Sequence, residues 1–245
     1  MWGSQNVGLD HKDSDIDSAC IFIPSLEELK QFPDFVEQIR IPLGHELLCL
    51  IDIRLVGYGL KRCSLYHLER IYTPYKIIPN EQYIPLWEKW KAMADELVMS
   101  NKAAAAESID FYMRRSWLPN AIENFLPQRK ELCIKLGYDY KKLAYAIRGY
   151  WILQLLLTDY PYSYILNTHL NQLAVDAKFY KYDVLSARWL LKFIQQDYKR
   201  LYNEIMQLPK NDNKYEELLL QIKDIERKII CDYYGESARA LYGSS

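Results

Sequence analysis

Gly3-Ser4-Gln5-Asn6-Val7-Gly8-Leu9-Asp10-His11-Lys12-Asp13-Ser14-Asp15-Ile16-Asp17-Ser18 runs straight into Ala19-Cys20-Ile21-Phe22-Ile23-Pro24, and this stretch orders the reading of the whole chain. The apolar run after the acids is short, rich in β-formers and closed by a proline, so it reads as a strand. Gly3-Ser4 reads as a tight turn, where a missing Cβ lets backbone N–H groups approach a phosphate. Asp15-Ile16-Asp17 enters the strand. Alternate strand residues share a face, so the two carboxylates stand ~7 Å apart at Cα and point the same way. Such a pair converges on a hard divalent cation, and Mg²⁺ prefers one or two carboxylates plus substrate phosphates.

A second apolar run, Glu46-Leu47-Leu48-Cys49-Leu50-Ile51-Asp52-Ile53, supplies a neighbouring strand and a third acid. Two cations about 4 Å apart need bridging anions, and together they clamp the attacking and leaving oxygens of phosphoryl or nucleotidyl transfer. Asp52 and Glu46 have the same parity and lie about 20 Å apart on a straight strand, so a metal site uses one or the other. Asp52, at the end of its run beside Arg54 and a helix start, is the expected third carboxylate. Glu46, beside Gly44 and His45, is expected to cap a turn or face water. A solvated acidic loop is the competing reading of Asp10 to Asp17. The Gly-Ser turn eleven residues ahead of Asp15 favours the site.

Between the two runs, Ser25 with Glu28 forms a capping box for a short helix. From Arg54 the period turns helical through Leu55, Leu60, Leu65, Leu68 and Ile71, until Thr73-Pro74 breaks it. Beyond Pro85 nearly everything reads as helix. Leu86 to Trp117 is rich in helix formers. Tyr140 to Thr158 is apolar almost all round, which predicts the centre of a bundle. Leu185 to Met206 sets Leu185, Trp189 and Phe193 on one face and Leu190, Ile194 and Leu201 on another. A last helix holds Leu218, Ile222, Ile225 and Ile229 in phase. The layout predicted is α+β: a small mixed β-sheet core over 1–83, followed by a helical C-terminal domain over 84–245.

Half of the 245 residues are apolar and 26% are charged, which excludes a disordered chain. With 31 basic against 32 acidic residues, no bulk charge draws the protein to nucleic acid. Arg188, Lys192 and Lys199 nevertheless share one helix face, with Tyr198 and Tyr202 nearby. That face tracks a polynucleotide backbone or is simply solvated. Five scattered cysteines without CxxC spacing read as reduced thiols, and four histidines without HxxxH give no zinc pattern. Met1 leads into a polar, acidic stretch, so no leader peptide is expected. The most apolar run, Tyr150 to Leu157, is too short to span a bilayer. The expectation is a cytoplasmic protein with no membrane partner.

Gly3-Ser4, Gly8-Leu9, Ser14-Asp15-Ile16-Asp17 and the strand ending at Pro24 resemble the polymerase-β-type nucleotidyltransferase superfamily. The similarity is greatest to a bacterial and phage branch with a GSxxxGL…SDxD…FIP signature. Asp52-Ile53-Arg54 resembles that branch's Asp-Ile-Arg helix opening, and Leu68-Glu69-Arg70-Ile71-Tyr72-Thr73-Pro74 is similar to its Leu-Glu-Ile-Leu-Phe-Thr segment. Gly137 to Arg148 looks like its helical Lys…His…Arg motif, with Tyr145 where the branch tends to have His. The resemblance implies a nucleotidyltransferase that moves an NMP from an NTP such as ATP to an acceptor hydroxyl and releases pyrophosphate. Gly3 and Ser4 would contact the triphosphate. Asp15, Asp17 and Asp52 would hold two Mg²⁺ ions, with Mn²⁺ as a substitute, and Asp52 would assist deprotonation of the acceptor. Lys141 and Arg148, seven apart on one helix face, would reach phosphates. The acceptor stays open among an RNA or DNA end, a protein hydroxyl and a small molecule. The alternative is a catalytically silent nucleotide-binding or interaction module on the same fold.

Overall fold

A computed structural model describes residues 16–32, 38–44, 46–73, 76–78, 80–117, 127–167 and 172–242, and its class is α+β. The apolar run after the acids forms β1 (Ile16–Phe22), and the capping box starts α1 (Leu26–Gln31). Ser25 Oγ accepts from the Glu28 N–H at 3.2 Å, while the Glu28 carboxylate accepts from the Ser25 N–H at 2.9 Å. A hairpin follows, β2 (Ile39–Leu43) and β3 (Glu46–Asp52). The sheet order is β1-β3-β2, with β1 parallel and β2 antiparallel to the central β3. Cys49 and Ile51 of β3 are fully buried and share one face of the sheet.

The helical period after Arg54 resolves into α2 (Ile53–Lys61) and α3 (Leu65–Ile71). The segment expected as one helix from Leu86 to Trp117 is two, α4 (Ile84–Ser100) and α5 (Lys102–Trp117). The break has a local cause. Ser100 Oγ donates to the Leu97 carbonyl at 2.8 Å, and Asn101 leaves the helical region with φ −145° and ψ 71°. Then come α6 (Pro127–Leu136), α7 (Tyr140–Leu156), α8 (Tyr162–Asn167), α9 (Gln172–Lys178) and α10 (Val184–Met206). The chain ends in α11 (Asp212–Tyr234) and α12 (Glu236–Tyr242), separated by Gly235 at φ +64°.

Two compact units result: Met1–Asn101 joined by Lys210–Ser245, and Lys102–Pro209. This division differs from the expected 1–83 and 84–245, because α4, α11 and α12 belong with the sheet. In the first unit, α11 packs on α2 and α4, and α12 packs on α11 and α1. Val56, Leu60, Leu68, Trp90, Leu97 and Ile222 form its helical core. Asn211 N–H donates to the Ser100 carbonyl at 2.9 Å, which sets the end of α4 beside the start of α11. In the second unit, α7 is buried on almost every side and packs on α5, α8, α9 and α10. That is the central helix its all-round apolar sequence predicts. Among the described residues, no helix is long and apolar enough to cross a membrane.

Candidate functional site

The start of β1 and the start of β3 lie side by side. Ile16 pairs with Glu46, Asp17 with Leu47, and Phe22 with Asp52. Glu46 is therefore one position from the level of Asp17 and is exposed. Asp52 lies five positions beyond Leu47, about 17 Å along the strand. On this register Glu46 and Asp52 share the strand parity of Ile16, whereas Asp17 pairs with Leu47 on the other parity, so β3 brings no acid both level with Asp17 and on its face. Gly3, Ser4 and Asp15 lie outside the described residues, and Asp17 is described only by its backbone pairing.

Asp52 instead anchors the junction of β3 and α2. It is the N-cap of α2, accepting the Arg54 N–H at 2.9 Å, and its side chain has no solvent exposure. The Arg54 guanidinium folds back over it, with Nε 3.0 Å from Oδ1 and Nη2 2.5 Å from Oδ2. The remaining Nη1 donates to the Phe32 carbonyl, which ties the end of α1 to this corner. Burial opposes the Arg54 charge, but the hydrogen bonds and negative charge of Asp52 outweigh it and hold the guanidinium protonated.

Glu226 of α11 faces the same corner. Its carboxylate lies against the α2 backbone, since a Cβ built on Gly57 would sit 2.6 Å from Glu226 Oε2. Burial first, and the Asp52 charge second, push its carboxyl up to about 7. Tyr242 of α12 completes the group, its hydroxyl pushed up by burial while Arg54 pulls the other way. A carboxyl titrating near neutrality is chemically able to exchange protons at physiological pH. Sequence reasoning missed Glu226, although a signal was present. It lies four residues after Ile222 and four before Ile230, so it interrupts the apolar stripe of α11.

The expected phosphate ligands belong to the second unit. Lys141 is half-buried in the first turn of α7, where its N–H donates to the capping Asp139 Oδ1 at 3.1 Å. Arg129 Nη2 also holds Asp139, at 2.7 Å. Arg148, two turns on, is buried, and so is Lys178 of the adjacent α9. Burial lowers the Lys142 ammonium from its ordinary value. The structure thus gathers cations along α7 and α9.

Among the described residues, no three His, Cys, Asp or Glu side chains gather closely enough to hold a metal ion. Asp15 and the side chain of Asp17 lie outside the described residues. The chain matches no protein-family model, no curated protein and no solved structure. The functional reading rests on its own residues.

Proposed function

We propose that the chain is a Mg²⁺-dependent nucleotidyltransferase that moves an NMP from an NTP to an acceptor hydroxyl. The observation that carries this reading is the place of Asp17. It is the second residue of β1 and lies beside the start of the central strand, where the acid-x-acid pattern needs to enter a sheet. Asp15 and Asp17 are the proposed Mg²⁺ ligands, with Mn²⁺ as a substitute, and Gly3-Ser4 the triphosphate turn. Asp52 is assigned to holding Arg54 and α2, and neither it nor Glu46 shares the strand parity of Asp17, so the reading rests on Asp15 and Asp17 as the protein's Mg²⁺ ligands. The cations, when bound, neutralise the triphosphate and the charge that builds up on it. The acceptor oxygen attacks the α-phosphorus, the bond to the bridging oxygen breaks, and pyrophosphate leaves. The acceptor's proton passes to a carboxylate of the site.

The test is direct. The protein is incubated with each labelled NTP, Mg²⁺ or Mn²⁺, and RNA, DNA, protein or small-molecule acceptors, and the labelled product is identified. Transfer by the wild type that is abolished in Asp17→Ala supports the reading. The silent nucleotide-binding module is the second reading, favoured by the buried, Arg54-neutralised state of Asp52. Nucleotide binding without transfer to any acceptor selects it.

A further inference from the structure

Helix α10 divides into an inward and an outward stripe. Ala187, Ile194, Tyr198, Leu201 and Ile205 are buried, whereas Leu185, Trp189 and Phe193 stand 75%, 68% and 43% exposed. Large apolar side chains left in water at a regular spacing mark a surface that meets something. Trp189 and Phe193 are already stacked, 12° from parallel with centroids 5.8 Å apart, and the edge of Tyr150 fixes Phe193 from the side. Together they form a preorganised flat platform.

Charge identifies what the platform fits. Arg188, Lys192 and Lys199 line the strip immediately beside the rings, all three exposed and without an ion pair among the described residues. The acids of this helix are spent locally. Asp183 caps the first turn and also accepts the Ser186 hydroxyl, while Asp197 and Glu204 both hold Arg200, at 2.7 and 3.0 Å. The free charge is positive. A second copy paired antiparallel through Trp189 would lay one basic strip against the other, so self-association is opposed. A membrane surface needs an apolar face running the length of the helix. This one stops at Phe193, with Gln196, Arg200 and Asn203 continuing its line, while the cations run on to Lys199.

We infer that this face of α10 binds single-stranded nucleic acid, with bases stacking on Trp189 and Phe193 and the phosphate backbone following Arg188, Lys192 and Lys199. Sequence-tolerant stacking platforms flanked by cations bind single strands in this manner. Tyr198 and Tyr202, the aromatics expected to help from the sequence, take no part. Tyr198 is buried and donates to Asp110, and Tyr202 stacks on Tyr198. The inference does not depend on nucleotide transfer.

The test is fluorescence anisotropy of the full chain with labelled oligo(U) and oligo(dT) of about 16 nucleotides, without NTP. Binding is expected to be saturable and to fall steeply between about 50 and 200 mM salt. Trp189→Ala should weaken it about tenfold, Trp189→Phe should retain most of it, and Arg188→Glu with Lys192→Glu should weaken it further and flatten the salt dependence. These positions are exposed, so unchanged circular dichroism is expected for each variant. No binding at low salt, or binding indifferent to Trp189→Ala and to the charge reversal, overturns the inference. So does a wild-type dimer that Trp189→Ala dissociates, or capture on phosphatidylserine vesicles in place of oligonucleotides.

Discussion

At the scale of single residues, the two acids of β3 differ in burial, and mutation separates them. Asp52 and Arg54 are 0% and 3% exposed, so removing one charge strands the other. Asp52→Asn should lose about 3 kcal/mol in urea unfolding, whereas replacing both residues with apolar ones of similar volume should recover much of that. Glu46→Gln, on an exposed position that has the parity of Ile16 and not of Asp17, should leave stability within about 0.5 kcal/mol of wild type and transfer unchanged. Loss of transfer in Glu46→Gln would instead place Glu46 at the metal site. Glu226 gives a separate prediction in pH. Its folded carboxyl titrates near 7 against an ordinary 4.5, so the folded state holds the proton more tightly. The stability this gives is full below about 4.5 and is lost as pH rises through about 7. Wild-type thermal stability should fall between about pH 5 and pH 8, by on the order of 2 kcal/mol, and fall less in Glu226→Gln. Equal pH dependence in the two proteins removes Glu226 as the titrating group.

At the scale of elements, α2 is built around two glycines that let neighbours close on its backbone. A Cβ on Gly59 would meet the His67 ring at 2.1 Å, and one on Gly57 would meet the Glu226 carboxylate at 2.6 Å. Alanine normally gains about 1 kcal/mol over glycine within a helix. At Gly59 the rigid, half-buried imidazole cannot swing clear, and overpacking costs about 1–3 kcal/mol. Gly59→Ala should therefore lower the urea midpoint with an unchanged slope. Gly57→Ala should be milder, because the far end of a glutamate side chain can move. Elements whose partners lie within a few residues were legible in the sequence. The Ser25–Glu28 box, the apolar run of β3 and the all-round burial of α7 each follow from local pattern. Strand β2 was not legible, since Pro42 and almost continuous exposure disguise an edge strand that pairs on one side only. The Ser100–Asn101 break hides inside good helix formers. Asp-x-Asp at the start of β1 was visible as a pattern. The parity that sets Glu46 and Asp52 apart from Asp17 was not, because strand register is a property of pairing between segments. Glu226 depended on a contact between α11 and α2, which no local period reveals.

At the scale of the whole molecule, the first unit is made of two separate stretches of chain and the second of the contiguous stretch between them in sequence. Leu218, Ile222, Ile225, Ile229 and Ile230 of α11 are all buried in the first unit. At about 2 kcal/mol for each buried side chain, their loss matches the whole stability of an ordinary domain. A chain stopped at Pro209 should leave its sheet half without cooperative unfolding in circular dichroism. Deleting 102–209 and joining Asn101 to Lys210 should keep it, since Asn211 already donates to Ser100 at 2.9 Å. The outcome that refutes this is the reverse order of the two. The Asn211–Ser100 bond also has a meaning in time. A ribosome delivers α5 to α10 before α11, so the contiguous middle of the chain can mature while β1, β2 and β3 wait for a helix not yet synthesised. Asp17 becomes part of a finished sheet only once translation has passed Tyr234, and a polypeptide interrupted earlier carries the motif without the packing that supports it.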